Sequence, residues 1–168
     1  MAITRLGTNS ITGLPDGIVS SASLASGVGG KVLQVVNVVY GVETTSGSST
    51  YSDTGLSASI TPSSSSNKVL VLVSQNGQRK QNNNTYLDIK LLRNSTDIVA
   101  SFENRGAYNN AAGNFWGGGN GICYLDSPAT TSATTYKTQF KSVQNNDLVH
   151  IQESGCKSAI TLLEISVW

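Results

Sequence analysis

From Lys31 onward, short aliphatic and β-branched runs are separated by clusters of Gly, Asn, Ser and Pro. Such runs are typical of strands, and the clusters between them are typical of turns. Helical periodicity is nowhere sustained over three turns, and a chain this rich in Ser, Thr, Asn and Gly opposes helix formation. The pattern therefore predicts an all-β fold.

Nine segments have the length and composition of strands. Two of them, Lys31 to Val39 and Val69 to Val73, are dense aliphatic runs, which predicts strands buried on both faces and central in their sheets. The segment from Tyr136 to Lys141 alternates instead, so one of its faces should be buried and the other wet. The remaining candidates are Leu56 to Ile60, Tyr86 to Arg93, Ile98 to Phe102, Gly121 to Leu125, Leu148 to Gln152 and Ala159 to Val167.

The turns and their spacing indicate the architecture. Asn94 and Ser95 can satisfy turn backbone with their own side chains, which predicts an antiparallel pair on either side of them. Strands at irregular spacing favour an antiparallel two-sheet jelly-roll or Greek-key sandwich over a repeat architecture. We expect this knob domain to span residues 31–168.

Residues 1–30 differ in composition from the rest of the chain. Gly, Ser and Thr dominate, and the larger apolar residues are too sparse to form a core of their own. We therefore predict an extended N-terminal arm that contacts a partner through its scattered apolar residues, which are Leu6, Ile11, Leu14, Ile18, Val19 and Leu24.

Charge and hydropathy exclude several classes of function. The formal net charge is +1, and no Lys/Arg cluster exceeds Arg79-Lys80, so we expect no nucleic-acid partner. No apolar run approaches the roughly 20 residues of a membrane span, so we expect no membrane insertion. The amino end lacks an apolar signal-peptide region, which predicts a protein that is made and kept in the cytosol or leaves it by a route other than secretion. In the cytosol Cys123 and Cys156 would stay reduced.

Candidate catalytic groups are few. The chain has one histidine and ten carboxylate residues, and no H-x-x-x-H or C-x-x-C spacing occurs. His150 lies in an apolar strand segment, where we expect a surface or hydrogen-bonded histidine, because a general base would need an orienting carboxylate and a substrate pocket. We expect no enzyme activity, no cofactor and no metal.

The glycine-rich stretch from Gly113 to Gly121 has two interpretations. It lacks the G-x-G-x-x-G register of a dinucleotide turn, so the simpler one is a long surface loop. The alternative is a contact loop for another chain or a glycan, because Phe115 and Trp116, with Tyr108 nearby, are aromatics that stack on sugars or fill a partner's pocket.

Seven segments of the knob follow one another in a distinctive order: Gly30 to Val36, Tyr51 to Pro62, Lys68 to Val73, Leu91 to Arg93, Tyr124 to Pro128, Thr134 to Gln139 and Ile160 to Ile165. Their order and wording resemble small virion proteins of marine bacteriophages, of the tail-fibre or head-decoration type. The resemblance covers residues 30–166 and names a structural class without catalytic residues. The arm segments Leu14 to Val19 and Ala22 to Gly27 are similar to the start of such appendage proteins.

The resemblance implies a homotrimeric jelly-roll knob, of the kind also seen in C1q and tumour-necrosis-factor heads, that is docked to the particle by its N-terminal arm. The expected place is the virion surface, and the expected partner is the major capsid protein or another virion protein. Capsid decoration or cement is the favoured function, because a tail fibre without a shaft has little reach. The alternative is a receptor-binding fibre tip that attaches to a host surface glycan. A small carbohydrate-active enzyme is the weakest alternative.

Overall fold

A computed structural model describes residues 31–81, 85–107, 113–144 and 147–167. Ten strands and one short 3-10 helix, Glu153–Gly155, make up its regular structure in those ranges. The strands are β1 (Val32–Tyr40), β2 (Thr44–Ser46), β3 (Ser52–Ile60), β4 (Lys68–Lys80), β5 (Leu87–Arg93), β6 (Thr96–Gly106), β7 (Phe115–Asp126), β8 (Thr134–Ser142), β9 (Val149–Ile151) and β10 (Ser158–Ile165). The all-β prediction is confirmed, and each of the nine predicted segments overlaps an observed strand.

The strands form two antiparallel sheets. One is six-stranded: β4 pairs with β10 and β9 on one side and with β7 on the other, while β1 pairs with β10 and β2 with β9. The other is four-stranded, in the order β3-β8-β5-β6. Taken without β2 and β9, the orders β1-β10-β4-β7 and β3-β8-β5-β6 are those of an eight-stranded jelly roll.

The structure confirms the predicted pairing of β5 with β6 but not the predicted place of β1. The β5–β6 pair is antiparallel and its turn residue Asn94 has φ 52°, in the left-handed region that asparagine tolerates. The prediction that the run at Lys31 to Val39 is central and buried on both faces is wrong. β1 lies at the edge of its sheet, and its outer face is exposed. β4 is central, but Leu72 on its outer face is 37% exposed.

The core lies between the sheets in two apolar clusters. The larger combines residues of β3, β4, β5, β8 and β10, including Leu56, Val71, Tyr136 and Leu162. The smaller combines β5, β8 and β9 around Phe140. Tyr136, Thr138 and Phe140 share the buried face of β8, as their alternation predicts.

A buried hydrogen-bond network separates the two clusters. The Thr54 and Thr138 hydroxyls are 2.6 Å apart, and Thr138 donates to Gln75 Oε1 at 2.8 Å. Gln75 Nε2 in turn donates to Ser158 Oγ at 3.0 Å. Because buried polar groups must find partners, these bonds define which positions of β3, β4, β8 and β10 face one another.

A buried carboxylate fixes the connection between β3 and β4. Glu164 of β10 is 1% exposed. Its Oε1 accepts hydrogen bonds from Ser63 N (2.6 Å), Ser63 Oγ (2.7 Å) and Asn67 Nδ2 (2.6 Å), and its Oε2 accepts one from Gln34 Nε2 (2.7 Å). Burial alone raises the pKa of Glu164, but these hydrogen bonds outweigh it and lower the pKa to about 2.

Candidate functional site

The outer face of the six-stranded sheet carries an aliphatic surface. The cross-strand register aligns Val35, Leu163, Leu70 and Leu125 in one row across β1, β10, β4 and β7. The next two rows contain small, polar and aliphatic residues, and no position in the three rows is charged. We call this surface the aliphatic face and define it by its larger residues, which are Val35, Val39, Leu70, Leu72, Leu125 and Leu163.

Much of this surface is open to solvent. Val35 and Val39 are each 57% exposed, and Leu125 is 52% exposed. Three side-chain rows on four strands cover roughly 400 Å², from strand spacings of about 4.8 Å and row spacings of about 7 Å. An uncharged surface of that size whose large exposed side chains are aliphatic often marks an interaction site.

The outer face of the four-stranded sheet is different, because it carries ion pairs. Lys137 contacts Asp53 at 2.9 Å, and Lys90 contacts Asp97 at 2.8 Å. Charged side chains therefore solvate one outer face of the sandwich, while the opposite outer face is aliphatic. The core requires only the inward positions to be apolar, so this asymmetry is not a requirement of the fold.

A polar cluster surrounds His150, where β9 meets β2 and the end of β4. His150 Nδ1 lies 2.8 Å from Glu43 Oε1, 2.9 Å from Glu153 Oε2 and 3.1 Å from Thr45 Oγ1. Its Nε2 lies 3.2 Å from Gln81 Oε1. We call Glu43, His150 and Glu153 the histidine–carboxylate cluster; the three ligand atoms lie within 4.8 Å of one another.

The fold positions these three residues from separate segments. Thr45 pairs with His150 in the β2–β9 register, which brings the neighbouring Glu43 to the imidazole. Glu153 begins the 3-10 helix and is turned back toward His150 by left-handed backbone at Gln152 (φ 54°) and Ser154 (φ 55°). Hydrogen bonding to His150, and then to Glu153, lowers the pKa of the Glu43 carboxyl, which is therefore ionised near neutral pH.

Arg79 connects this cluster to an exposed tryptophan. Its Nε lies 3.1 Å from Glu153 Oε1, and its Nη2 lies 3.0 Å from His150 Nε2. Nη1 donates to Asn114 Oδ1 at 2.7 Å, and the guanidinium carbon is 5.5 Å from the centroid of the Trp116 ring. Trp116 is 53% exposed, so one face of the indole is covered by Arg79 while much of the ring stays open.

The sequence-predicted contact residues have different outcomes. Leu6, Ile11, Leu14, Ile18, Val19 and Leu24 of the arm, and Tyr108, lie outside the described residues. Phe115 and Trp116 are described, but the interpretation of their surroundings as a loop is wrong, because both belong to β7 and Trp116 pairs with Arg79 of β4. Cys123 and Cys156 are free, and both are exposed.

The histidine–carboxylate cluster contains residues that the sequence interpretation missed. His150 is hydrogen-bonded, as expected for a strand histidine, and it is 6% exposed. Its carboxylate partners Glu43 and Glu153 do not follow from the strand pattern. Glu153 follows His150 by three residues, which is the only local signal; Glu43 is 107 residues away and reaches the imidazole only through the strand pairing.

The fold and these surfaces define an all-β sandwich with one aliphatic sheet face and one polar cluster. No protein-family model matches the chain, and no curated protein matches its sequence. Along the described ranges, no helix is long and apolar enough to cross a bilayer.

Proposed function

We propose that this chain is a non-enzymatic structural protein of a bacteriophage virion. In this proposal it forms a homotrimeric jelly-roll knob that self-associates through the aliphatic face. Residues 1–30 dock the knob to the major capsid protein or another virion protein, and the function is capsid decoration. The virion assignment depends on the resemblance of residues 30–166, whereas the self-association depends on the aliphatic face.

The aliphatic face is the observation that supports assembly most directly. Leaving Val35, Val39 and Leu125 in water costs free energy that burial against a second copy would recover, at about 25 cal/mol per Å² of apolar surface. A stable interface buries about 800 Å² on each partner. The further exposed residues Val32, Leu33 and Val42, at and after β1, provide apolar area beyond the three rows.

The distribution of charge also favours a further copy of this chain as the partner of the aliphatic face. Three copies that turn their uncharged rows toward a shared three-fold axis bring no like charges together and bury no unpaired ion. The four-stranded sheet could not be buried in this way without desolvating pairs such as Lys137 and Asp53. A further copy of this chain therefore fits the aliphatic face better than the opposite face.

Sedimentation velocity of the full chain tests the self-association. We expect a species of three times the chain mass of 17.6 kDa. The double variant Val35→Lys/Leu125→Lys should sediment as a monomer at micromolar concentration, because each change adds a charge to the aliphatic face. Ala100→Lys, at an exposed position of β6 in the other sheet, is the matched control and should remain trimeric. A monomeric parent chain, or a double variant that stays trimeric, would contradict the proposal.

Immunogold electron microscopy of purified particles tests the location. Gold on the shell of the particle is the result expected for capsid decoration. Particles without gold, from a lysate that contains the free chain, would remove the virion assignment while leaving the self-association to be judged by sedimentation.

One observation favours the second candidate, a receptor-binding fibre tip. Trp116 offers an open ring face, and the neighbouring Arg79 and Asn114 carry hydrogen-bonding groups, which is a combination that binds sugars. Gold at the fibre tips, together with loss of host-cell adsorption in Trp116→Ala particles of normal composition, would support this candidate over decoration.

A further inference from the structure

We propose that Glu43, His150 and Glu153 bind a divalent first-row transition-metal ion, for which Zn²⁺ is the probe. This inference differs from the sequence-based expectation of no metal, which depended on the single histidine and on the absence of H-x-x-x-H and C-x-x-C spacings. It is independent of the proposed function, since it concerns the end of the sandwich where β2 and β9 meet.

The surroundings of His150 Nδ1 contain more acceptors than one proton can satisfy. Oxygen atoms of Glu43, Glu153 and Thr45 lie 2.8, 2.9 and 3.1 Å from this single nitrogen. A ring nitrogen carries at most one hydrogen, so it can donate well to one of them. Glu153 Oε2 is buried and receives no hydrogen bond within the described residues. A buried carboxylate oxygen without a donor is costly, and the Arg79 guanidinium pairs with the other oxygen of Glu153, Oε1.

The distances match those between neighbouring ligands of a metal ion. Zinc lies about 2.0–2.2 Å from histidine nitrogen and carboxylate oxygen. Two such ligands are about 3 Å apart at a right angle and about 3.4 Å apart at the tetrahedral angle that zinc prefers. The separations of Nδ1 from Glu43 Oε1 and from Glu153 Oε2 are 2.8 and 2.9 Å. One ion in place of the Nδ1 proton could therefore contact all three residues after small side-chain adjustments.

The second ring nitrogen has the partner that a metal-binding histidine requires. In the metal-bound form we assign the Nε2 hydrogen to Gln81 Oε1, 3.2 Å away, which requires the Arg79 Nη2 group, 3.0 Å from Nε2, to move aside because a guanidinium can only donate. This tautomer leaves the Nδ1 lone pair directed at the two carboxylates. Metal-bound histidines commonly donate their other N–H to a carbonyl or carboxylate, which fixes the ring orientation.

The cluster is closed on one side and open on the other. The His150 and Glu153 side chains are 7% and 12% exposed, whereas the Glu43 side chain is 41% exposed. An ion could enter past Glu43 and keep water in its remaining coordination positions. The carboxyl groups of Glu43 and Glu153 outnumber the single guanidinium of Arg79 in this cluster, which favours an added cation.

Arg79 provides a discriminating test because it competes for the same carboxylate. Its guanidinium lies 3.1 Å from Glu153 Oε1 and would repel an ion held between Glu153 and His150. Removing this positive charge should strengthen metal binding. If the cluster is only an ion-pair network, removing Arg79 should lower stability and create no response to metal.

The experiment is isothermal titration calorimetry of ZnCl₂ into the untagged, chelator-treated full chain. We expect one site per chain, at least 10-fold weaker binding in Glu153→Gln, and at least threefold tighter binding in Arg79→Gln. Because His150 is the only histidine, no second histidine site can contribute. Asp53→Asn, which removes an exposed carboxylate of the other sheet, is the matched control and should bind like the parent.

Three outcomes would overturn the inference: no heat of binding, unchanged affinity in Glu153→Gln, or binding that the Asp53→Asn control also loses. If Glu153→Gln does not fold by circular dichroism, Glu43→Gln replaces it, because that side chain is more exposed and its loss should weaken binding in the same direction.

Discussion

Glu164 is a buried carboxylate that takes part in none of the described ion pairs. Replacing it with glutamine tests how such a group stabilises the sandwich. Three donor groups converge on its Oε1 and one on its Oε2. A glutamine oxygen can replace Oε1, but the new NH₂ group would then face the Gln34 amide. Gln34 cannot rotate freely to accept from it, because its Nε2 also donates to Thr61 O at 2.7 Å.

The magnitude follows from the pKa of Glu164, which falls from 4.5 to about 2 on folding. A pKa difference of one is worth about 1.4 kcal/mol, so the ionised carboxylate stabilises the fold by about 3 kcal/mol. Since the folded-state pKa is the lower one, this stabilisation is fully present above pH 4.5 and is lost as the pH falls toward 2. The glutamine variant should lose about 3 kcal/mol at pH 7 and should show a flatter pH dependence between pH 5 and pH 2.

Urea unfolding of both proteins, at one protein concentration and at several pH values, measures these quantities. Asp53→Asn is the control, because its exposed ion pair with Lys137 should contribute less than about 1 kcal/mol. If Glu164→Gln is within 0.5 kcal/mol of the parent at pH 7, or keeps the parent's acid-induced loss of stability, the hydrogen bonds to Glu164 do not stabilise the fold as argued.

Two further predictions concern individual contacts. Gly77 and Gly118 both have positive φ, 65° and 77°. Only a Cβ added at Gly77 would collide with other atoms, because it would lie 2.6 Å from Glu153 N and 2.7 Å from Cys156 Cβ. Gly77→Ala should therefore lower the free energy of unfolding by at least about 1 kcal/mol more than Gly118→Ala, and equal losses in urea unfolding would contradict the steric argument. Tyr136→Phe removes a buried hydroxyl that donates to Asp126 Oδ2 at 2.7 Å, while Arg93 remains bound to the same carboxylate. We expect a loss of about 1.5 kcal/mol in thermal or urea unfolding, and an unchanged stability would show that the hydroxyl bond contributes nothing net.

Strand positions were predictable because hydrophobic alternation is a local property. The buried face of β8 follows directly from Tyr136, Thr138 and Phe140. β2 was missed because its three residues, Thr44–Ser46, are polar and become a strand only by pairing with β9. Its formation depends on a partner about 100 residues later, which no local pattern contains.

The first half of β7 was misjudged for a different reason. Glycine has low strand propensity, so the run from Gly117 to Gly121 indicates a loop. In the structure, a Cβ at Gly119 would collide with Asn76, and one at Gly121 would lie 2.9 Å from Val73 O. These glycines permit β7 to approach β4 closely, and that requirement is visible only after the strands are paired.

The histidine–carboxylate cluster was hidden by topology. Metal motifs are recognisable when their ligands share one helix or loop, but here the three residues come from the position just before β2, from β9 and from the start of the 3-10 helix. Only the His150 to Glu153 spacing is local, and two such residues occur together by chance in many chains. The third ligand becomes visible through the pairing of Thr45 with His150.

The outer face of β1 carries exposed apolar residues that the core of the sandwich does not require. Packing against β3 and β10 requires only the inward residues, such as Val36 and Val38, to be apolar. An edge strand with exposed Val35 and Val39 is a liability, because it invites unwanted association, and proteins usually protect such edges with charges. Polar residues at these two positions would preserve the core and remove the liability. Their absence is what we expect if the aliphatic face is buried in the working assembly, and the Val35→Lys/Leu125→Lys variant should therefore disrupt assembly while leaving the stability of the individual sandwich nearly unchanged.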